Sequence, residues 1–97
     1  MSPASRFGVM TDATSVAMRA MVGDLDPLDV DHLVTRATQL LETDDPVFRA
    51  VTGFATQHEL YRRQPDQLRE LGTALRDQML RLMQPDPPDL HRSDIHG

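Results

Sequence analysis

Apolar residues recur along this chain at helical spacing, and prolines and polar caps divide the recurrence into segments. The most regular stretch runs from Gln64 to Gln84. There Leu68, Leu71, Leu75, Met79, Leu82 and Met83 fall within about 120° of arc at ~100° per residue. The spacing predicts a helix of about twenty residues, roughly 30 Å long. A stripe that wide has to be covered by other helices. Pro65 suits the first helical position because it has no N–H to leave unpaired. Pro85, Pro87 and Pro88 stop the helix at its far end.

Three further helices are predicted ahead of it. Ala13, Val16, Ala17, Ala20 and Met21 share one face of a short helix from about Ala13 to Val22, with Thr11 or Asp12 as N-cap and Gly23 as a left-handed stop. Residues 1–10 show no clear periodicity and are expected to be flexible, with Val9 and Met10 lying against the core. Asp26-Pro27-Leu28-Asp29 reads as N-cap, first-position proline and a favourably placed acid, and Leu25 with Val30 can form a hydrophobic staple. The helix that follows carries Val30, Leu33, Val34, Ala37, Leu40 and Leu41 on one face, to about Glu42. Asp45-Pro46 repeats the device and opens a helix to about Arg63, with Val47, Val51, Phe54, Ala55, His58 and Tyr61 together. Gly53 lies on its other side, costs up to ~1 kcal/mol against alanine, and is the candidate for a close helix contact.

Short connections favour antiparallel neighbours. The expected fold is therefore all-α: a small antiparallel bundle of three long helices plus a shorter N-terminal one, compact over residues 11–84. Residues 85–97 are rich in Pro and Asp, lack a core stripe, and are expected to form an extended tail whose apolar anchors are Leu90 and Ile95.

Composition narrows the chemistry. A chain of 97 residues makes one domain with a marginal core, a size that often gains stability by pairing with another chain. Aromatics are few and tryptophan is absent, so the core must be built mainly from Leu, Val, Ala and Met. With no cysteine, disulfides and thiolate metal sites are excluded. No apolar run approaches a membrane span and the first residues carry no apolar signal segment, so the expected location is cytoplasmic. Every basic residue is arginine and most acids are aspartate, which fits a high-GC bacterial or phage genome and excludes lysine-dependent catalysis. The net charge of −5 argues against general nucleic-acid binding.

Candidate functional residues are of three kinds. Arg62, Arg63, Arg69 and Arg76 can form a ridge for an anionic partner, or a solvated face paired with Asp66, Glu70 and Asp77. His58 sits in an apolar stripe beside Glu59. That placement suits a core histidine bonded to a backbone carbonyl or hydroxyl better than a general base. Asp29, Asp31 and His32 at a helix start, and His91, Asp94 and His96 in the tail, match no metal-site spacing, and capping explains the first two. Apolar residues off the core faces are the most informative: Met18, Val22, Leu60 and Leu80 point away from their stripes. Single exposed apolar residues are ordinary, but several together indicate a second buried surface.

No phosphate loop, zinc-protease or nucleophile-elbow motif occurs, so no cofactor or metal is expected and the enzyme class stays open, with non-enzymatic function favoured. The expected function is a helical protein–protein interaction module, a homo-oligomer such as a dimer or a small accessory or regulatory subunit of a larger bacterial or phage assembly. Its partner would be another protein chain, recognised through Met18, Val22, Leu60, Leu80, Leu90 and Ile95. The alternatives are a helix-turn-helix-like DNA-binding regulator using the arginine ridge, and a small helical metal protein or enzyme centred on His58 or His32.

Overall fold

The computed structural model describes residues 3–84, which form four helices: α1 (Pro3–Met21), α2 (Pro27–Leu40), α3 (Pro46–Leu60) and α4 (Pro65–Met83). The tail, with Leu90, Ile95 and its histidines, lies outside the described residues. Each of α2, α3 and α4 opens on a proline, as the dipeptides Asp26-Pro27, Asp45-Pro46 and Gln64-Pro65 predict. The Asp26 side chain accepts a hydrogen bond from the Leu28 N–H at 2.9 Å, and that of Asp45 accepts from the Val47 N–H at 2.8 Å. Each thereby satisfies one of the donors a helix start leaves open. Gln64 makes no such side-chain bond.

Gly23 closes α1 in the left-handed region, at φ 76°. Its N–H donates to the Ala20 carbonyl and the Asp24 N–H donates to the Arg19 carbonyl, the paired bonds of a Schellman stop.

The expected short first helix requires correction. α1 is 19 residues long, as long as α4, and begins ten residues ahead of Ala13. Thr11 and Asp12 are mid-helix rather than caps: the Thr11 hydroxyl donates to the Phe7 carbonyl, and Asp12 pairs with Arg36 of α2. Burial explains the extension. Val9, Ala13, Val16 and Ala20 form one buried stripe, and Val9 and Met10 join the core as expected. Packing of that kind outweighs the helix-weakening effect of Gly8. Arg6 anchors the start of α1 to the start of α3 through a 2.9 Å ion pair with Asp45.

Neighbouring helices run antiparallel. Arg19 pairs with Asp29 and Asp12 with Arg36, so α1 and α2 run in opposite directions. α1 packs most extensively on α4, also touches α2 and α3, and so occupies the centre of the fold, while α2 and α4 do not meet. The core holds Met79, Val9, Val47 and Val51, all fully buried, with Leu33, Phe54 and Leu75 around them. Each large apolar side chain so buried stabilises the fold by ~1.5–3 kcal/mol.

The close helix contact is not at Gly53. A β-carbon there would meet nothing within 4 Å. It is at Gly72 of α4, where a β-carbon would lie 2.6 Å from the Ala17 carbonyl oxygen and 2.8 Å from the Ala20 β-carbon. The small residues of α1 and the missing side chain of Gly72 let the two backbones touch.

Candidate functional site

α1 carries two opposed faces. At ~100° per residue, Phe7, Thr11, Thr14, Met18 and Val22 lie within about 80° of arc, diametrically opposite the buried stripe Val9, Ala13, Val16 and Ala20. Phe7 is 60% exposed, Met18 53% and Val22 75%. With Ser15 and Arg19 of α1 and Met83 of α4 they line one shallow, largely apolar groove along the outside of the bundle.

No charged side chain falls on that outward stripe. Arg19, paired with Asp29, edges the groove on its α2 side, and Asp12, paired with Arg36, does not line it. A solvent-facing helix surface in a chain with 26% charged residues would ordinarily carry several. Depletion of charge around apolar anchors marks the centre of protein interfaces.

Of the residues proposed from sequence for partner contact, the structure brings Met18 and Val22 into this groove. Leu80, 44% exposed, lies on α4 about 80° round from Gly72 and does not line the groove. Leu60 is 68% exposed but belongs to α3, apart from the groove. Phe7 and Leu28 are exposed apolar residues that sequence reasoning missed. Phe7 lay in a segment expected to be irregular. The signal for it is the 7, 11, 14, 18, 22 spacing, which is visible only once α1 is known to start at Pro3.

The arginine ridge is largely neutralised by neighbours. Arg62 pairs with Glu59, Arg69 with Asp66, and Arg76 with Asp77, while Arg63 is exposed. These are local pairs of the kind that decorate a solvated helix face.

His58 is 7% exposed and stacks on Phe54 with ring centroids 6.2 Å apart. The expected bond to a carbonyl or hydroxyl is not made: its imidazole has no hydrogen-bond partner among the described residues. It lines a small recess with Ala20, Gly23, Leu25, Pro65 and Leu68, none of which supplies a charged group. Glu59, its sequence neighbour, points out to Arg62. A lone imidazole in such surroundings has no nucleophile to activate and no carboxylate to orient it.

Among the described residues no three His, Asp or Glu side chains gather to hold a metal. Asp29 of the Asp29-Asp31-His32 group bonds to Arg19 instead. The most perturbed acid is structural. Partial burial pushes the Asp45 carboxyl up, but hydrogen bonds from Arg6 and the Val47 N–H, with the Arg6 charge, outweigh it and hold the carboxyl below its ordinary value. No helix among the described residues is long and apolar enough to cross a membrane. No protein-family model matches the chain, and neither a curated protein nor a solved structure matches it.

Proposed function

We propose that this chain is a non-enzymatic helical interaction module, working as a homo-oligomer or as a small accessory or regulatory subunit of a larger assembly. The outward stripe of α1 is its docking surface. One observation carries this reading: the central helix of the fold buries one apolar stripe and exposes a second, uncharged one on its opposite side.

Full burial of an apolar side chain of this size is worth ~1.5–3 kcal/mol, so covering the exposed parts of Phe7, Met18 and Val22 yields gross stabilisation of about 3–6 kcal/mol. A micromolar complex needs about 8 kcal/mol net of association costs. The partner must therefore also cover the flanks of α1, including Leu80 and Met83 on α4. Aspartate at Met18 would place a charge at the middle of the stripe without touching the core.

The test is isolation of the tagged chain with its bound proteins from source cells, comparing wild type, Met18→Asp and Leu60→Asp, each checked for native helix content. Recovery of a stoichiometric complex by wild type and Leu60→Asp, and its loss in Met18→Asp, supports the docking surface. Equal recovery by Met18→Asp, or no complex with any of the three, refutes it. The arginine ridge offers less to a nucleic acid, because three of its four members already pair with acids close by in the sequence.

A further inference from the structure

The end of the bundle where α1 and α3 finish and α4 begins holds a recess of about 200 Å³, lined by Ala20, Gly23, Leu25, His58, Pro65 and Leu68. Its floor is buried, with Ala20 2% exposed and His58 7%. Gly23 and Pro65 are exposed and Leu25 and Leu68 half-buried, so these four form a rim open to solvent.

The backbone holds this recess open. Gly23 sits at φ 76°, where a side chain is strained, and nothing lies within 4 Å of the place its β-carbon would take. The ring of Pro65 fixes the backbone on the α4 side. Ala20 is wedged against α4, its β-carbon 2.8 Å from where a β-carbon on Gly72 would lie. Walls of this kind give a largely pre-formed site.

Among the lining residues only His58 has a polar side chain. Phe54 stacks on the imidazole and so fixes its orientation, and the ring has no hydrogen-bond partner among the described residues. A neutral imidazole carries one donor and one acceptor. A buried polar group left unpaired is destabilising, and a ligand that supplies the missing bond removes that penalty.

We propose that this recess binds a small uncharged molecule consisting of one six-membered ring that bears a hydroxyl group. The hydroxyl meets the His58 imidazole, and the ring lies against Ala20, Leu25 and Leu68. The site is independent of the α1 docking face, since the groove and the recess share no lining residue.

Size, charge and polarity each select this class. An apolar cavity of about 150 Å³ accepts a benzene ring, so the recess takes one substituted ring. No lining side chain is charged. The ends of α1 and α3 converge here with the starts of α4 and α2, as the recess itself and the Arg19–Asp29 pair show, so helix-end partial charges of both signs offset one another. A charged ligand would lose hydration without gaining a counter-charge. One imidazole among four apolar side chains matches a ligand with one polar group.

Phenol is the probe, and toluene, in which a methyl group replaces the hydroxyl, is its control. Both are titrated by nuclear magnetic resonance into the nitrogen-15-labelled 97-residue chain, as wild type and as His58→Leu. In wild type, phenol is expected to shift the His58 ring nitrogens and the amides of Gly23, Leu25 and Leu68 saturably, with a Kd on the order of 1 mM. In His58→Leu its affinity should fall about tenfold, while that of toluene changes by less than about twofold. Shifts in wild type that never saturate, or that centre on Met18 and Val22, overturn the inference. A phenol affinity that His58→Leu leaves unchanged, or lowers only in parallel with that of toluene, overturns it as well. Should His58→Leu not fold, the wild-type chain decides alone: His58 ring nitrogens that move more with phenol than with toluene support the site, and equal movement refutes it.

Discussion

Gly72→Ala and Gly53→Ala are the same chemical change in two helices of one bundle, and they are expected to have opposite signs. Alanine is the better helix former by about 1 kcal/mol. At Gly53 nothing lies within 4 Å of the added carbon, so that gain is realised and stability rises by up to ~1 kcal/mol. At Gly72 the added carbon meets the Ala17 carbonyl oxygen at 2.6 Å, the Ala20 β-carbon at 2.8 Å and the Met21 nitrogen at 3.0 Å. Two of these are backbone atoms and the third is a β-carbon, so no side-chain rotation relieves the overlap. The helices must separate by several tenths of an ångström along the most extensive contact in the fold. Overpacking of this kind costs about 1–3 kcal/mol, and its upper part applies where backbone must move. After the propensity gain, Gly72→Ala should lose about 1–2 kcal/mol net. In a domain of this size that lowers the Tm by about 5–15 °C. Urea and thermal unfolding followed by helical circular dichroism measure both variants against wild type. A Gly72→Ala protein as stable as Gly53→Ala would refute the close α1–α4 contact.

Three further outcomes are expected. Asp45→Ala removes a helix cap and the partner of Arg6, and should cost about 1–2 kcal/mol at neutral pH. Because the Asp45 carboxyl is held below its ordinary value in the folded chain, its contribution is complete above the unfolded pKa and disappears as pH falls through the lower folded one. The stability gap between wild type and Asp45→Ala should therefore be constant above about pH 5 and narrow below about pH 4; a gap that widens in acid contradicts the assignment. His58→Leu exchanges a buried imidazole without a hydrogen-bond partner for an apolar group, so urea unfolding should show stability unchanged or raised by up to ~2 kcal/mol. A loss above about 1 kcal/mol would show that the imidazole has a polar partner after all. Leu60→Ser, on an exposed site apart from the groove, should leave stability within about 0.5 kcal/mol and leave association untouched.

Where a local signal and the tertiary fold agreed, the fold was legible in the sequence. Aspartate or glutamine followed by proline marked the starts of α2, α3 and α4, and Gly23 marked the end of α1. The start of α1 was not legible because Gly8 breaks the local preference and only packing of Val9 and Met10 against distant residues restores it. Apolar residues on both sides of α1 also cancel as an amphipathic signal, so the helix that organises the fold looked like its weakest. The role of Gly72 was hidden for a related reason. A glycine within a strongly periodic helix reads as a defect until the neighbour that needs the space is known. Half of the candidate surface was visible, since Met18 and Val22 stood off the predicted core stripe, but their junction with Phe7 and Met83 depends on the packing of α1 against α4.

The most direct test is the mass of the 97-residue chain in solution. Sedimentation equilibrium from low micromolar to several hundred micromolar should take wild type from the 10.9 kDa chain mass toward twice that value, with Met18→Asp staying at one chain mass throughout. A wild-type chain that remains at a single chain mass at the highest concentration, or a Met18→Asp variant that associates as wild type does, would contradict the homo-oligomer form of the docking reading.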